Sequence, residues 1–315
     1  MKVLVTGGSG FVGRALIPRL IQAGHDVLVT SRDKNTILPG ATLRHVGELG
    51  PETDWVAALK GVEAVIHLAA RVHIMNETAA DPLTENRAIN TAGTANLAAQ
   101  AAKAGVKRFI FLSTIKVNGE TTTVEPFHAD DSPRPQNAYA IAKQEAEQAL
   151  LEIAANSAMC AAIIRPPLVY GPNVRGNFLS LLRLCAKGWP LPLGSIDNRR
   201  SLIYVGNLVD LIAVILERQN APGSIYLARD GEDVSTPELL RRTAQALGVK
   251  ARILPLPSFL LRLAGAGIGK SAAVSRLTES LVVDDDPTRN DLDWTPPFSM
   301  LQGLKETADW FKSQH

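Results

Sequence analysis

The chain has 315 residues, 46% of them hydrophobic and 20% charged. At roughly 150 residues per domain this is two domains or one large one, with enough chain for a substantial core. With 33 Lys or Arg against 31 Asp or Glu the net charge is only +2, which excludes a chain built as a polycation for nucleic acid or a membrane surface, though not a local basic patch.

Short β-branched runs at 3–6, 26–30, 64–68, 108–113 and 160–165 predict buried strands, because a strand covered on both faces needs no polar alternation. Helical patterns fall between them at about 12–23, 52–60, 82–104 and 137–156. This β-α-β rhythm predicts an α/β fold, a doubly wound parallel sheet of Rossmann-like form, with a smaller, loop-rich C-terminal region. Pro and Gly cluster in PPLVYGPNVRG, KGWPLPLGS, PLPS and TPPF. The expected division is therefore 1–165 plus about 205–225 for the sheet domain, and 166–204 with 226–315 for the smaller region.

MKVLVTGGSG enters a strand at once, without a secretory apolar region, and the apolar stretch 208–216 carries Asp210 and is too short for a bilayer. Cys160 and Cys185 lie far apart with no C-x-x-C or His-rich spacing. No disulfide framework, metal site or membrane partner is expected, and a reducing cytoplasm fits. Cys160, inside a predicted strand, is expected in the core.

The segment VLVTGGSGFVG places G-x-x-G-x-x-G between a strand and a helix. Gly7 and Gly10 permit a tight turn with backbone open to a pyrophosphate, Gly13 permits close helix–sheet packing, and the helix start offers unpaired N–H groups to a diphosphate. Together with the return to a second strand, this spacing predicts a dinucleotide site. At the end of that strand stand Thr30, Ser31 and Arg32, where an acidic residue would accept from the ribose of NAD. Ser31 with Arg32 tips the reading toward NADP, through a guanidinium on a 2′-phosphate. NAD remains open, with Asp33 in the acidic role or Arg32 stacked on adenine.

Beyond that loop, VIHLAA at 65–70, NTAGT at 90–94, FLST at 111–114, YAIAK at 139–143, RPPLVYGP at 165–172 and RRSLIYVGNLVD at 199–210 follow in order. With TGGSGFVG they make the chain resemble the extended short-chain dehydrogenase/reductases, in particular their nucleotide-sugar epimerases and reductases. The resemblance implies a cofactor site of Gly7, Gly10, Phe11, Val12, Gly13, Ser31, Arg32, Glu48, Leu49, Leu68, Ala69, Ala70, Asn90, Ser113, Tyr139, Lys143 and Pro166. Glu48 and Leu49 fall where such proteins hold the adenine. It also implies a homodimer through helices equivalent to 82–104 and 137–156, whose Ala-rich faces allow close approach.

Tyr139 and Lys143 stand at i and i+4, on one face of a helix. A phenol of ordinary pKa near 10 is a poor base at neutral pH, so a neighbouring ammonium and an oxidised nicotinamide would be needed to favour the phenolate. The resemblance assigns Lys143 also to the nicotinamide ribose and Thr114 to the reacting sugar oxygen. Thr114, Tyr139 and Lys143 are the expected catalytic set, in which Thr114 and Tyr139 polarise a carbonyl.

Where related dehydratases carry an acidic pair, this chain has Ile115 and Lys116, which cannot perform that proton transfer. Expected substrate contacts are Thr114, Asn177, Phe178, Arg200 and Arg276, with Arg200 gripping a diphosphate in two-point fashion. Arg276 lacks the Gly-Asp that usually follows the second phosphate-binding Arg. His67 is read as a satisfied strand-end histidine, Arg199 as solvated, and Arg71 and His73 as possible neighbours of the sugar. The function expected is a nucleotide-sugar oxidoreductase acting at C4 of a UDP-hexose, first as an NAD(P)H-dependent reductase of a UDP-4-keto-6-deoxy-N-acetylhexosamine. The alternative is a UDP-sugar 4-epimerase with tightly bound NAD, and a non-catalytic dinucleotide-binding regulator is the distant third.

Overall fold

The computed structural model describes all residues except 32, 34–37, 73–80, 219–224, 258, 261, 262, 264–270 and 315. Five predicted strands form where the apolar runs lie: β1 (Lys2–Thr6), β2 (Asp26–Ser31), β4 (Ala64–His67), β5 (Arg108–Leu112) and β6 (Cys160–Arg165). With β3 (Thr42–His45) and β9 (Ile225–Leu227) they make a seven-stranded sheet in the order β3-β2-β1-β4-β5-β6-β9. Every pairing in it is parallel. The order reverses beside β1, the position at which such sheets open a crevice at their C-terminal edge.

Two buried layers cover this sheet. On one face α1 (Phe11–Gln22) packs with α7 (Val205–Glu217) over Val3, Val5, Ile66 and Ile164. On the other, α4 (Gly93–Lys103) lies along α5 (Ala138–Ala155), over Leu4, Val65, Phe109 and Ile163. The predicted helix 82–104 is instead three pieces: α3 (Pro82–Asn86), capped by Asp81, a π-helical turn (Arg87–Ala92), and then α4. The helical turn α2 (Val56–Leu59) is all that forms of 52–60.

A smaller three-stranded sheet pairs β7 (Leu168–Tyr170) in parallel with β8 (Arg200–Tyr204), which in turn pairs antiparallel with β10 (Asp233–Val234). Around it stand α6 (Gly176–Ala186), α8 (Thr236–Leu247), α9 (Ser271–Thr278), α10 (Asp286–Leu292) and α11 (Met300–Ser313). Buried Asp230 ties this region to the first: it accepts from Tyr170 Oη at 2.6 Å, Tyr204 N at 2.7 Å and Asn207 Nδ2 at 2.8 Å. Cys185 is buried as a core thiol, but Cys160 is exposed. It occupies the first position of β6, where the strand has not yet entered the sheet interior, so its predicted core place is corrected.

Candidate active site

Gly7 adopts φ +70°, and a Cβ there would lie 2.7 Å from the Ala69 backbone nitrogen. A Cβ on Gly13 would lie 2.5 Å from Gly7 O. Both collisions are with backbone, so the turn closes only with glycine. Gly10 N donates to Gly7 O at 2.9 Å, and Gly10 is the N-cap of α1 without any side-chain cap. The first turn of α1, with Phe11 and Val12 partly buried, therefore keeps amide donors unclaimed by a cap. This bare-backbone cradle fits a dinucleotide diphosphate.

The neighbouring strand ends line the same edge of the sheet. Leu68, Ala69 and Ala70 follow β4 and are partly exposed, with Ala69 N donating to Thr6 Oγ1 at 3.3 Å. His67 is fully buried, hydrogen-bonded to Thr6 Oγ1 at 2.6 Å and Thr94 Oγ1 at 3.0 Å. Burial, then the Lys143 charge, pulls its pKa down to about 3, so it is the satisfied, neutral histidine expected. Ser31 ends β2 and its hydroxyl accepts from Asp33 N at 3.1 Å. Glu48 and Leu49 lie on the loop after β3, with Leu49 against Gly93 at the start of α4. Arg32 and His73 lie outside the described residues.

Lys143 is 1% exposed, and its ammonium donates to Leu112 O at 2.6 Å while lying 3.8 Å above the Phe111 ring. Thr114 comes two residues after Leu112 and caps a 3₁₀ turn (Ile115–Val117). That turn is joined to the start of α5 by side chains: Lys116 Nζ lies 3.0 Å from Glu120 Oε2, and Asn137, the N-cap of α5, donates to Glu120. Tyr139 is on the first turn of α5 and partly buried. Among the described residues its hydroxyl has no hydrogen-bonding partner. A strand-end carbonyl and a carboxylate bridge thus pin the Tyr139–Lys143 face against the Thr114 turn.

Within the protein itself, burial pushes the Tyr139 phenol up to about 12. The same burial, partly opposed by Glu147, pulls Lys143 down to about 7. Its amine is turned to Leu112 O, and desolvation outweighs the help that it could give the phenol.

Below Lys143 on the same helix face is Glu147, which the sequence reading did not single out. Its carboxylate accepts from Ser113 Oγ and from Arg165, whose Nη1 reaches Asn118 Oδ1 at 3.0 Å. The spacing Tyr139-x₃-Lys143-x₃-Glu147 was the available signal. Three residues of the expected sites have side chains turned inward. The Ser113 hydroxyl is committed to Glu147 and buried. Asn90 spends both ends of its amide on the Arg71 backbone, at 2.8 and 2.9 Å, and so holds the loop after β4. Phe178 is fully buried and stacked 5.1 Å from Tyr170, so its ring is core. Pro166 is also buried, and its carbonyl accepts from Ile115 N at 3.0 Å.

Arg200 and Arg276 are brought together at the rim: Arg200 Nη1 donates to Arg276 O at 2.9 Å and Glu279 O at 3.1 Å. Bridges of Thr122 with Ser280 and Phe127 with Val283 join this edge to the segment after the 3₁₀ turn. Asn177 is exposed on the first turn of α6. Arg199, expected solvated, is mostly exposed yet paired with Asp233 at 2.9 Å. Among the described residues no group of His, Cys, Asp and Glu could hold a metal ion, and no helix is long and apolar enough to cross a membrane.

The sheet order, glycine turn and Tyr139–Lys143 helix define an enzyme of the extended short-chain dehydrogenase/reductase type. Residues 3–228 match the NAD dependent epimerase/dehydratase family, and the chain belongs to it. It is 45% identical over 313 residues to a UDP-glucose 4-epimerase of Vibrio cholerae, covering 98% of this chain and 95% of the relative. The fold is shared with MoeE5 in complex with UDP-glucuronic acid and NAD, at TM-score 0.80, 24% identity and full coverage of both chains. It is likewise shared with a Thermotoga maritima UDP-glucose 4-epimerase with UDP-glucose, at TM-score 0.78 and 23% identity, covering 100% of this chain and 99% of that one.

Proposed function

We propose that the protein is a UDP-sugar 4-epimerase working with a retained NAD. The observation that carries the reading is the pinning of Tyr139 and Lys143 over the Leu112–Thr114 strand end, through Lys143 Nζ on Leu112 O and the Lys116–Glu120–Asn137 bridge. The relatives' names favour the epimerase over the reductase that the sequence reading put first. The lean to NADP rests on Arg32, whereas the family is named for NAD.

In this reading Gly7, Gly10 and Gly13 hold the dinucleotide diphosphate, with Phe11 and Val12 at the helix start, and Ser31 lies by the adenosine ribose. The bound nicotinamide supplies reversible hydride exchange at the sugar carbon. Tyr139 takes the proton from the C4 hydroxyl and returns it after the keto sugar has turned over. Thr114 hydrogen-bonds the same oxygen, and the Lys143 ammonium together with the positive nicotinamide offsets the burial that disfavours the phenolate. Arg200, Arg276 and Asn177 bind the nucleoside diphosphate. Residues 1–165 with about 205–225 carry the cofactor, and residues 166–204 with 226–315 carry the sugar nucleotide. Two copies pair through α4 and α5, which light scattering tests.

Purified protein is incubated with UDP-glucose, and the hexose products are separated while absorbance at 340 nm is followed. Interconversion with UDP-galactose without net absorbance change is expected, with NAD identified by mass spectrometry in the denatured protein. Stoichiometric consumption of NADPH with a 4-keto sugar, and no interconversion, would return the assignment to the reductase. An Arg32→Ala variant that loses NADP binding far more than NAD binding would do the same for the cofactor.

A further inference from the structure

The small net charge conceals a local imbalance. Residues 239–278 contain seven Lys or Arg and no Asp or Glu, and residues 176–196 contain Arg183 and Lys187 and no acid. The fold brings segments of these runs together. Leu191 N donates to Arg252 O, Leu254 N to Leu191 O and Gly194 N to Leu254 O, each at 2.8 Å.

Large apolar side chains protrude along this seam. Trp189 is 61% exposed and Leu254 52%, and a few residues further Phe259 and Leu263 are 59% and 66% exposed. Cations stand beside Trp189. Lys187 Nζ lies 4.7 Å from the centre of the Trp189 ring, and Lys187, Lys250 and Arg252 are exposed. The hollow beside Trp189 is lined by Lys250 and Arg252 with Cys185, Leu191 and Ile253, and by no carboxylate. Folding leaves this apolar area in water although each such side chain would gain by burial.

We propose that this edge docks on an anionic lipid bilayer. Trp at the headgroup level, Leu and Phe reaching toward the acyl boundary, and Lys and Arg facing anionic headgroups are the three ingredients of peripheral membrane binding. A second copy of the chain is the weaker fit. A two-fold contact would set Lys187, Lys250 and Arg252 against their own counterparts, with no carboxylate among the described residues lining the hollow to neutralise them. The proposal needs no membrane-spanning segment and is independent of the reaction assigned above.

The test is flotation of the whole protein with vesicles of phosphatidylcholine alone, or of phosphatidylcholine with a quarter phosphatidylglycerol. Binding to the anionic vesicles only, weakened by salt, is expected. A Trp189→Ser/Phe259→Ser double variant should lose binding by roughly tenfold or more, since two buried rings supply much of such an anchor. Its turnover of a soluble substrate should be unchanged. A second variant, Lys187→Glu/Arg252→Glu, keeps the apolar side chains and should lose the anionic preference. Because Trp55 and Trp294 are buried and Trp310 is half-buried against the core, Trp189 is the most exposed tryptophan, and most of a blue shift of emission on vesicle addition should vanish in Trp189→Phe. Absence of flotation with anionic vesicles, or equal flotation of wild type and both variants, overturns the proposal. So does concentration-dependent self-association that the double variant abolishes while vesicles bind neither protein, which assigns the face to a second copy.

Discussion

Glu147 and Arg165 hold each other in a two-point pair, with Arg165 Nη2 2.6 Å from Glu147 Oε2 and Nε 3.1 Å from Oε1. Both side chains are only 3% exposed, and the pair lies one helical turn beyond Lys143. It links α5 to β6 and, through Ser113, to the end of β5.

Removing one member strands the other. Glu147→Leu should destabilise the protein by about 3–5 kcal/mol, because the Arg165 charge then has no partner in a dry site. Glu147→Leu/Arg165→Leu should cost clearly less than the sum of the two single changes. Urea unfolding of the four proteins measures both. Strict additivity would mean that the two groups do not depend on each other.

Tyr139→Phe removes a hydroxyl that has no protein partner among the described residues. Stability should therefore change by roughly 0.5 kcal/mol or less, while turnover falls by about 10²–10⁴ through loss of the proton carrier. Thermal unfolding and steady-state rates decide this together. A large stability loss would show that the hydroxyl is structural.

Lys143 sets a pH dependence whose sign is fixed by its depressed pKa. Its folded value of about 7 lies below the ordinary 10.5. Between these pH values the unfolded chain binds a proton that the folded chain does not. Stability from this group therefore rises with pH over that window, and the cost of charging the amine is fully present below about pH 7. In Lys143→Met the slope of Tm between neutral and mildly alkaline pH should flatten, and activity should be lost. An unaltered slope would mean that the amine titrates normally.

The two thiols should separate cleanly by reactivity. Cys160 is exposed, whereas Cys185 is buried and its thiol is pushed up to about 11. An aromatic disulfide reagent should label one thiol per native chain, at Cys160, and both after denaturation. Peptide mapping identifies the site.

Strands buried on both faces were legible because their apolar runs have no other reading, and the glycine turn was legible because nothing else closes against Ala69. Strand β3 was not. Its residues Thr42, Leu43, Arg44 and His45 are mostly exposed at the sheet edge, so no apolar signal marks it. Tyr139, Lys143 and Thr114 could be read from spacing and resemblance, but the direction of their charge shifts could not. That direction depends on where the Lys143 amine turns and how much water burial removes. Motif position placed Phe178, Ser113 and Asn90 in the expected sites, but it does not foretell that packing and hydrogen bonds turn their side chains inward.

The π-helical turn at Arg87–Ala92 gives one helical stretch two angular phases. The turn itself keeps Asn90 clamped on the Arg71 backbone, and the helix that follows it, α4, stays seated along α5. Loss of a single amino acid there would let a regular helix re-form and swing the amide off the loop by about a quarter turn or more. The stretch should therefore tolerate many exchanges of residue type but almost no change of length.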